Sequence, residues 1–119
     1  MQLMSVNISE AKTVEHRGEM VATGIFKQTI NAPVHIGFNG VEGDTQANLE
    51  HHGGVHKAVY GFSQGHYDYW RTTLQKTDLQ AGAFGENMTI ANLDESSIFL
   101  GDQFQIGTCI LEVSQPRIP

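Results

Sequence analysis

Short apolar runs alternate along this chain with glycine, proline, asparagine and aspartate, and only one stretch has helical spacing. Met4, Val6 and Ile8 alternate with Ser5 and Asn7, which predicts a first strand that buries the three apolar side chains. Arg17-Gly18-Glu19 has the composition of a hairpin tip. Met20 to Gln28 and Val34 to Ile36 read as strands interrupted by Asn31-Ala32-Pro33, where proline ends pairing and holds its predecessor extended. Lys57 to Phe62 is a further short strand. Asn87 to Ile90, Ser97 to Leu100, Gln103 to Ile106 and Thr108 to Ser114 complete the set, parted by Asn92-Leu93-Asp94, Gly101-Asp102 and Gly107. The helix is expected after Ser63 as N-cap, with Tyr67, Trp70 and Leu74 facing the core and a break at Asp78 to Gly82. So many short strands with so little helix predict a mostly β protein: a closed antiparallel or mixed β-barrel with one or two attached helices.

With 119 residues the chain has material for one core, hence one domain over 1-119. Seven basic against 13 acidic residues leave a formal net charge of -6 and no run of Lys or Arg, which argues against a nucleic-acid or anionic-membrane surface. No apolar run approaches the roughly 20 residues of a membrane helix. The opening Met1-Gln2-Leu3-Met4-Ser5-Val6 lacks the basic start and apolar core of a secretory leader, so a cytoplasmic location is expected. Cys109 is the single cysteine, which suits a reducing compartment. Alternation puts Cys109, Leu111 and Val113 on one strand face opposite Glu112, and this predicts a core thiol instead of a nucleophile.

Between Gly40 and Tyr60, glycines, acids, amides, three histidines and Lys57 crowd into one stretch. Glycines permit left-handed backbone and close approach to a ligand, while Asp44, the imidazoles and Lys57 add an acceptor, titratable rings and a point cation. A polar surface loop between two strands is the alternative. His52 and His56 have the spacing of a zinc-binding helix, but Gly53 and Gly54 between them oppose a helix, so no metal site is expected of His51, His52 and His56. His52-Gly53-Gly54 is instead expected to turn tightly and present ring nitrogens or N–H groups to a ligand. Gly82-Ala83-Phe84-Gly85-Glu86-Asn87 is a second glycine-bracketed loop, ending in an amide that donates and accepts, with an ordinary turn as the alternative. Gly101-Asp102 suits a structural hairpin turn. Near the end, Arg117 lies between two prolines that stiffen the backbone and could aim its guanidinium at a phosphate or carboxylate.

Gly43-Asp44, His52-Gly53-Gly54, Lys57-Ala58-Val59-Tyr60, Phe84-Gly85-Glu86-Asn87, Gly101-Asp102 and Ser114-Gln115-Pro116-Arg117-Ile118-Pro119, in this order and spacing, resemble the MOSC domain family, relatives of the C-terminal domain of molybdenum cofactor sulfurase. Within it the resemblance is to the YiiM-like branch, from Gly24-Ile25-Phe26-Lys27 to the last residue. The resemblance implies a β-barrel that binds the molybdenum cofactor and reduces N-hydroxylated compounds such as 6-N-hydroxylaminopurine, a detoxifying activity. It implies a small N-hydroxylated substrate and a separate flavin-type reductase as electron donor, and it leaves a homodimer open. Lys27, Lys57 and Arg117 become the cations for the cofactor's negative charge, Gly53, Gly54 and Asn87 its hydrogen-bonding groups, and His52 or His56 the proton donor. Asp44 is expected to fix its loop, because a carboxylate beside an anionic cofactor is repelled unless a cation or N–H holds it. In the family, the Ser-Gln-Pro-Arg-x-Pro stretch is followed by a metal-ligating cysteine and a helical region, whereas this sequence ends at Pro119. The expectation is therefore a domain truncated just before that cysteine and inactive by itself. The alternative is a carrier of the cofactor, or of sulfur, without its own turnover.

Overall fold

The structure, a computed structural model, describes residues 1–9, 12–16, 19–23, 27–44 and 57–116, with 12–16 and 19–23 described as backbone. Strands β1 (Gln2–Ile8), β4 (Gln28–Ile30), β7 (Gly61–Ser63) and β8 (Met88–Ala91) form one mixed sheet in the order β4-β1-β8-β7. Central β1 runs antiparallel to both β4 and β8, pairing Val6 with Ile30 on one side and Met88 on the other. β7 and β8 are parallel, and parallel neighbours need a long crossover, which here carries a helix. That helix, α1, spans Gly65–Thr73.

Three antiparallel hairpins complete the described fold: β2 (Lys12–His16) with β3 (Glu19–Thr23), β5 (Ile36–Gly37) with β6 (Gly40–Val41), and β9 (Gln103–Ile106) with β10 (Cys109–Glu112). The first pairs His16 with Glu19 at its closed end, where the sequence predicts a hairpin tip. The last pairs Ile106 with Cys109 across Gly107-Thr108, and Gly107 takes the left-handed φ of 59° that a two-residue hairpin turn demands. The protein is thus mostly β with a helix attached. Among the described residues, however, the strands do not close into a barrel: β4 and β7 remain the two edges of the sheet. No helix among them is long and apolar enough to cross a membrane.

Several elements differ from the sequence reading. β1 buries Asn7 completely while Met4 is 47% exposed, the reverse of the predicted face. The face that carries Ser5 and Asn7 turns inward because Asn7 finds buried partners there. The ladder is also irregular at this point, since Leu3 pairs with Ile90 and Ser5 with Thr89 and Met4 is left out. The strand expected over Lys57 to Phe62 is confined to Gly61–Ser63, and Val34 to Ile36 gives way to pairing at Ile36–Gly37. Met20 to Gln28 divides between the end of β3 and the start of β4. Ser97 to Leu100 is not a strand. Asp94 there accepts from Ser96 N–H at 3.0 Å and from the hydroxyls of Ser96 and Ser97 at 2.6 and 2.9 Å, closing a 3-10 turn over Glu95–Ser97. Hydrogen bonds from these serines hold the Asp94 carboxyl below its ordinary range.

Ser63 ends β7 instead of capping the helix, and the N-cap position falls to Gln64, which makes no side-chain cap. Tertiary contacts hold α1 in place of the cap. Tyr67 is 2% exposed, and Phe84 stacks on Phe62 at 5.0 Å and meets Tyr67 edge-on at 5.2 Å. Such ring pairs contribute about 0.5–1.5 kcal/mol each beyond area burial. Leu74, expected in the core, is 46% exposed because the helix ends at Thr73 and Gln75 turns to a φ of 55°. Cys109 is only half-buried, although Cys109, Leu111 and Val113 do alternate with exposed Ile110 and Glu112 as predicted.

Candidate functional site

One end of the four-stranded sheet is unusually polar inside. The fully enclosed described residues include Asn7, Ser63, Glu86, Asn87 and Thr89, against Val41, Tyr67 and Met88. Buried polar groups are tolerated only when paired, and Asn7, Glu86, Asn87 and Thr89 form a connected network, while the Ser63 hydroxyl donates separately to the Leu93 carbonyl. Asn7 donates from Nδ2 to the Glu86 carbonyl at 3.2 Å and to Thr89 Oγ1 at 3.1 Å, and its Oδ1 accepts from the Thr29 hydroxyl at 2.8 Å. One side chain on β1 therefore ties β4 to β8.

Asp44 is the hub of the network. Its Oδ1 accepts from Ser9 N–H and from Lys27 Nζ, both at 2.8 Å, and its Oδ2 accepts from Lys27 Nζ at 2.8 Å and from Asn87 Nδ2 at 2.7 Å. The Lys27 and Asp44 side chains are 7% and 2% exposed. A buried ion pair offsets its desolvation only with good geometry and further hydrogen bonds, and both are present here. Lys27 is brought to this point by a close approach: Gly82 has a φ of 90°, and a Cβ there would lie 2.8 Å from the Lys27 carbonyl oxygen.

Asn87, just ahead of β8, joins Asp44 to the return of the chain at Tyr60. Its Oδ1 accepts from Tyr60 N–H at 3.0 Å, its own N–H donates to the Tyr60 carbonyl at 2.8 Å, and its Nδ2 also reaches the Asn7 carbonyl at 3.3 Å. Beside it, Glu86 is entirely buried. Its Oε2 accepts from the Tyr67 hydroxyl at 2.5 Å and from Thr89 Oγ1 at 2.9 Å, and its Oε1 accepts from Phe84 N–H at 3.2 Å. Burial, and then the hydrogen bond and charge of Glu86, push the Tyr67 phenol well above its ordinary value of 10.0.

Of the residues singled out in the sequence, Lys27 and Asn87 meet at Asp44, and Lys57 is partly buried in the chain leading to β7. His51, His52, Gly53, Gly54, His56 and Arg117 lie outside the described residues. Asp44 is itself held as the charge argument requires, by a cation and two N–H groups, while the loop it begins lies outside the described residues. The Gly82 to Asn87 loop is more than an ordinary turn, because it supplies Glu86 and Asn87 to the network. Gly101-Asp102 is structural: Asp102 Oδ2 accepts from Phe99 N–H at 2.9 Å, and Gly101 N–H donates to the Val113 carbonyl at 2.8 Å. Sequence reasoning missed Asn7, Glu86 and Tyr67 as members of one cluster. The signal for Asn7 was a carboxamide within an apolar strand, which needs partners wherever it is buried.

These features define a mostly β domain with a polar cluster at one end of a mixed sheet, where the chain leaves and re-enters around a glycine-rich stretch. The MOSC domain model matches residues 48–119, and the chain belongs to the MOSC domain family as a YiiM-like member. It is 38% identical over 117 residues to the uncharacterized protein YflK of Bacillus subtilis, covering 98% of this chain and 52% of YflK. It is 35% identical over 120 residues to a protein named reductase in Gibberella moniliformis, covering 98% of this chain and 21% of that one. The crystal structure of YiiM from Geobacillus stearothermophilus superposes with a TM-score of 0.74 at 33% identity, over 99% of this chain and 52% of its own. The chain thus spans about half the length of YflK and of that YiiM.

Proposed function

We propose that this chain is the cofactor-holding part of a molybdenum-dependent reductase that converts N-hydroxylated compounds, of the 6-N-hydroxylaminopurine type, to their amines. The observation that carries the reading is the compensation of Asp44. A carboxylate next to a binding stretch repels an anionic pterin phosphate, and here its charge is met by Lys27 and by the N–H groups of Ser9 and Asn87. The sequence also holds donors of the kind such an anion needs, in the N–H groups of Gly53 and Gly54, the ammonium of Lys57 and the guanidinium of Arg117. Membership in the MOSC family and similarity to a protein named reductase support the same class of chemistry.

Removing the hydroxyl breaks the N–O bond, takes up two electrons and two protons and releases the amine and water. When bound, the molybdenum cofactor supplies the two-electron chemistry, recharged by a flavin-type reductase. The chain binds and orients, and His52 or His56 gives a proton to the departing oxygen, a role suited to imidazole near neutral pH. The test is amine formation from an N-hydroxylated purine with a chemical reductant, by the cofactor-loaded whole protein of which this chain is a part, as wild type and with His52→Gln or His56→Gln. Amine formed by the wild type and slowed in one variant supports the reading. Cofactor held without amine formation favours the carrier alternative.

A further inference from the structure

We infer that Asn87 is a positioning residue that clamps together the two ends of the 45–59 segment, and that Lys27 serves this clamp through Asp44 instead of contacting a ligand. The inference rests on the proposed function only for the identity of that ligand. The chain enters the segment from Asp44 and leaves it at Tyr60, and a single carboxamide bonds to both: Nδ2 to Asp44 Oδ2 at 2.7 Å, Oδ1 from Tyr60 N–H at 3.0 Å. Asn87 has two N–H donors, and the second reaches the Asn7 carbonyl at 3.3 Å. To donate to a ligand, Asn87 would have to release either Asp44 or β1. Lys27 is placed similarly, with both carboxylate oxygens of Asp44 at 2.8 Å and its side chain 7% exposed. Drawing Lys27 toward a phosphate would strip a buried carboxylate of its cation. Joining Asp44 and Tyr60 through one side chain fixes the distance between the two points from which the chain departs and to which it returns.

Asparagine is required by the charges that face it. Asp44 approaches from the turn after β6, Lys27 from the chain before β4, and the enclosed Glu86 and Tyr67 lie next to it on the β8 side. Asn87→Asp would place a second carboxylate against Asp44 and remove the donor that joins them, whereas the introduced carboxyl, once protonated, can donate again. The test is limited proteolysis of the 119-residue chain with a protease active from about pH 5 to about pH 8, comparing cuts within 45–59 with cuts elsewhere. The expected result for Asn87→Asp is cutting within 45–59 at least about tenfold faster than wild type near pH 8, returning to within about threefold near pH 5. Unchanged cutting at both pH values, or an equal rise throughout the chain, overturns the clamp.

A second pair of variants judges Lys27 and does not depend on Asn87→Asp folding. Asp44→Asn should be cut rapidly within 45–59, and Lys27→Met combined with Asp44→Asn should return to within about twofold of wild type, because both buried charges are then gone. No recovery in the double variant overturns the role given to Lys27. So does recovery accompanied by loss of a pterin that the wild type retains. If the wild type retains no pterin, the proposed function fails and the cleavage rates alone decide the clamp.

Discussion

The phenol of Tyr67 on α1 donates to Oε2 of Glu86 at 2.5 Å, and both side chains are sealed from solvent. Burial and the neighbouring carboxyl keep that phenol protonated above its ordinary 10.0. Above about pH 10 the unfolded chain gives up the Tyr67 proton while the folded one keeps it. The stabilisation is therefore complete below that pH and is lost as pH rises toward the folded value. Tyr67→Phe should lower the unfolding free energy by about 1–3 kcal/mol at neutral pH. The gap from wild type should narrow in urea melts taken through pH 10 and 11. A gap that stays constant would mean that the phenol is not held protonated.

Asp44→Ala strands the Lys27 ammonium in a site where its side chain is 7% exposed. A destabilisation of about 3–5 kcal/mol is expected, the range for breaking a buried pair from one side. Asp68, 92% exposed and 3.2 Å from Arg71, is the control, and its replacement by Ala should cost about 0–1 kcal/mol. Denaturant midpoints of the two variants measure the difference. Equal midpoints would deny Asp44 its place as hub.

Gly82 and Gly101 share a φ of 90° but differ in surroundings: a Cβ at 82 meets the Lys27 carbonyl oxygen at 2.8 Å, while one at 101 meets nothing within 4 Å. Alanine at 101 should therefore cost only the backbone strain, about 1 kcal/mol. Alanine at 82 should cost that strain plus a displacement of the Lys27 backbone, together more than about 2 kcal/mol. Thermal melts of the pair isolate the steric contribution.

Asn7→Leu should destabilise the sheet by about 1–3 kcal/mol for each buried partner left unpaired, Thr89 and the Glu86 carbonyl, while exposed Thr29 turns to water, although the change adds apolar surface to an enclosed position. Met4→Ser should be nearly neutral, within about 0.5 kcal/mol, because that side chain is already exposed. The opposite ranking would restore the face suggested by simple alternation.

That reversal shows where local reading ends. β9, β10, the position of the turn between β2 and β3, and α1 were legible because periodicity and turn residues act within a few positions. The face of β1 was not, since the partners that let Asn7 be buried lie on β4, in the Gly82 to Asn87 loop and on β8, far along the chain. Ser63 looked like a cap by type, yet β7 used it for pairing with Ile90. In the candidate site, the need for Asp44 to be held followed from charge alone. Its partners Lys27, Ser9 and Asn87 did not, because they come together only once β4, β1 and β8 are side by side.

The most direct measurement is the pterin content of the protein purified from cells that make the molybdenum cofactor, released by oxidation and quantified by fluorescence. The expected result is near-stoichiometric pterin in the wild type, falling in Lys57→Met, which removes a cation from the proposed cradle. A folded wild type that carries no pterin above background would contradict the assignment of this sheet end as a cofactor site.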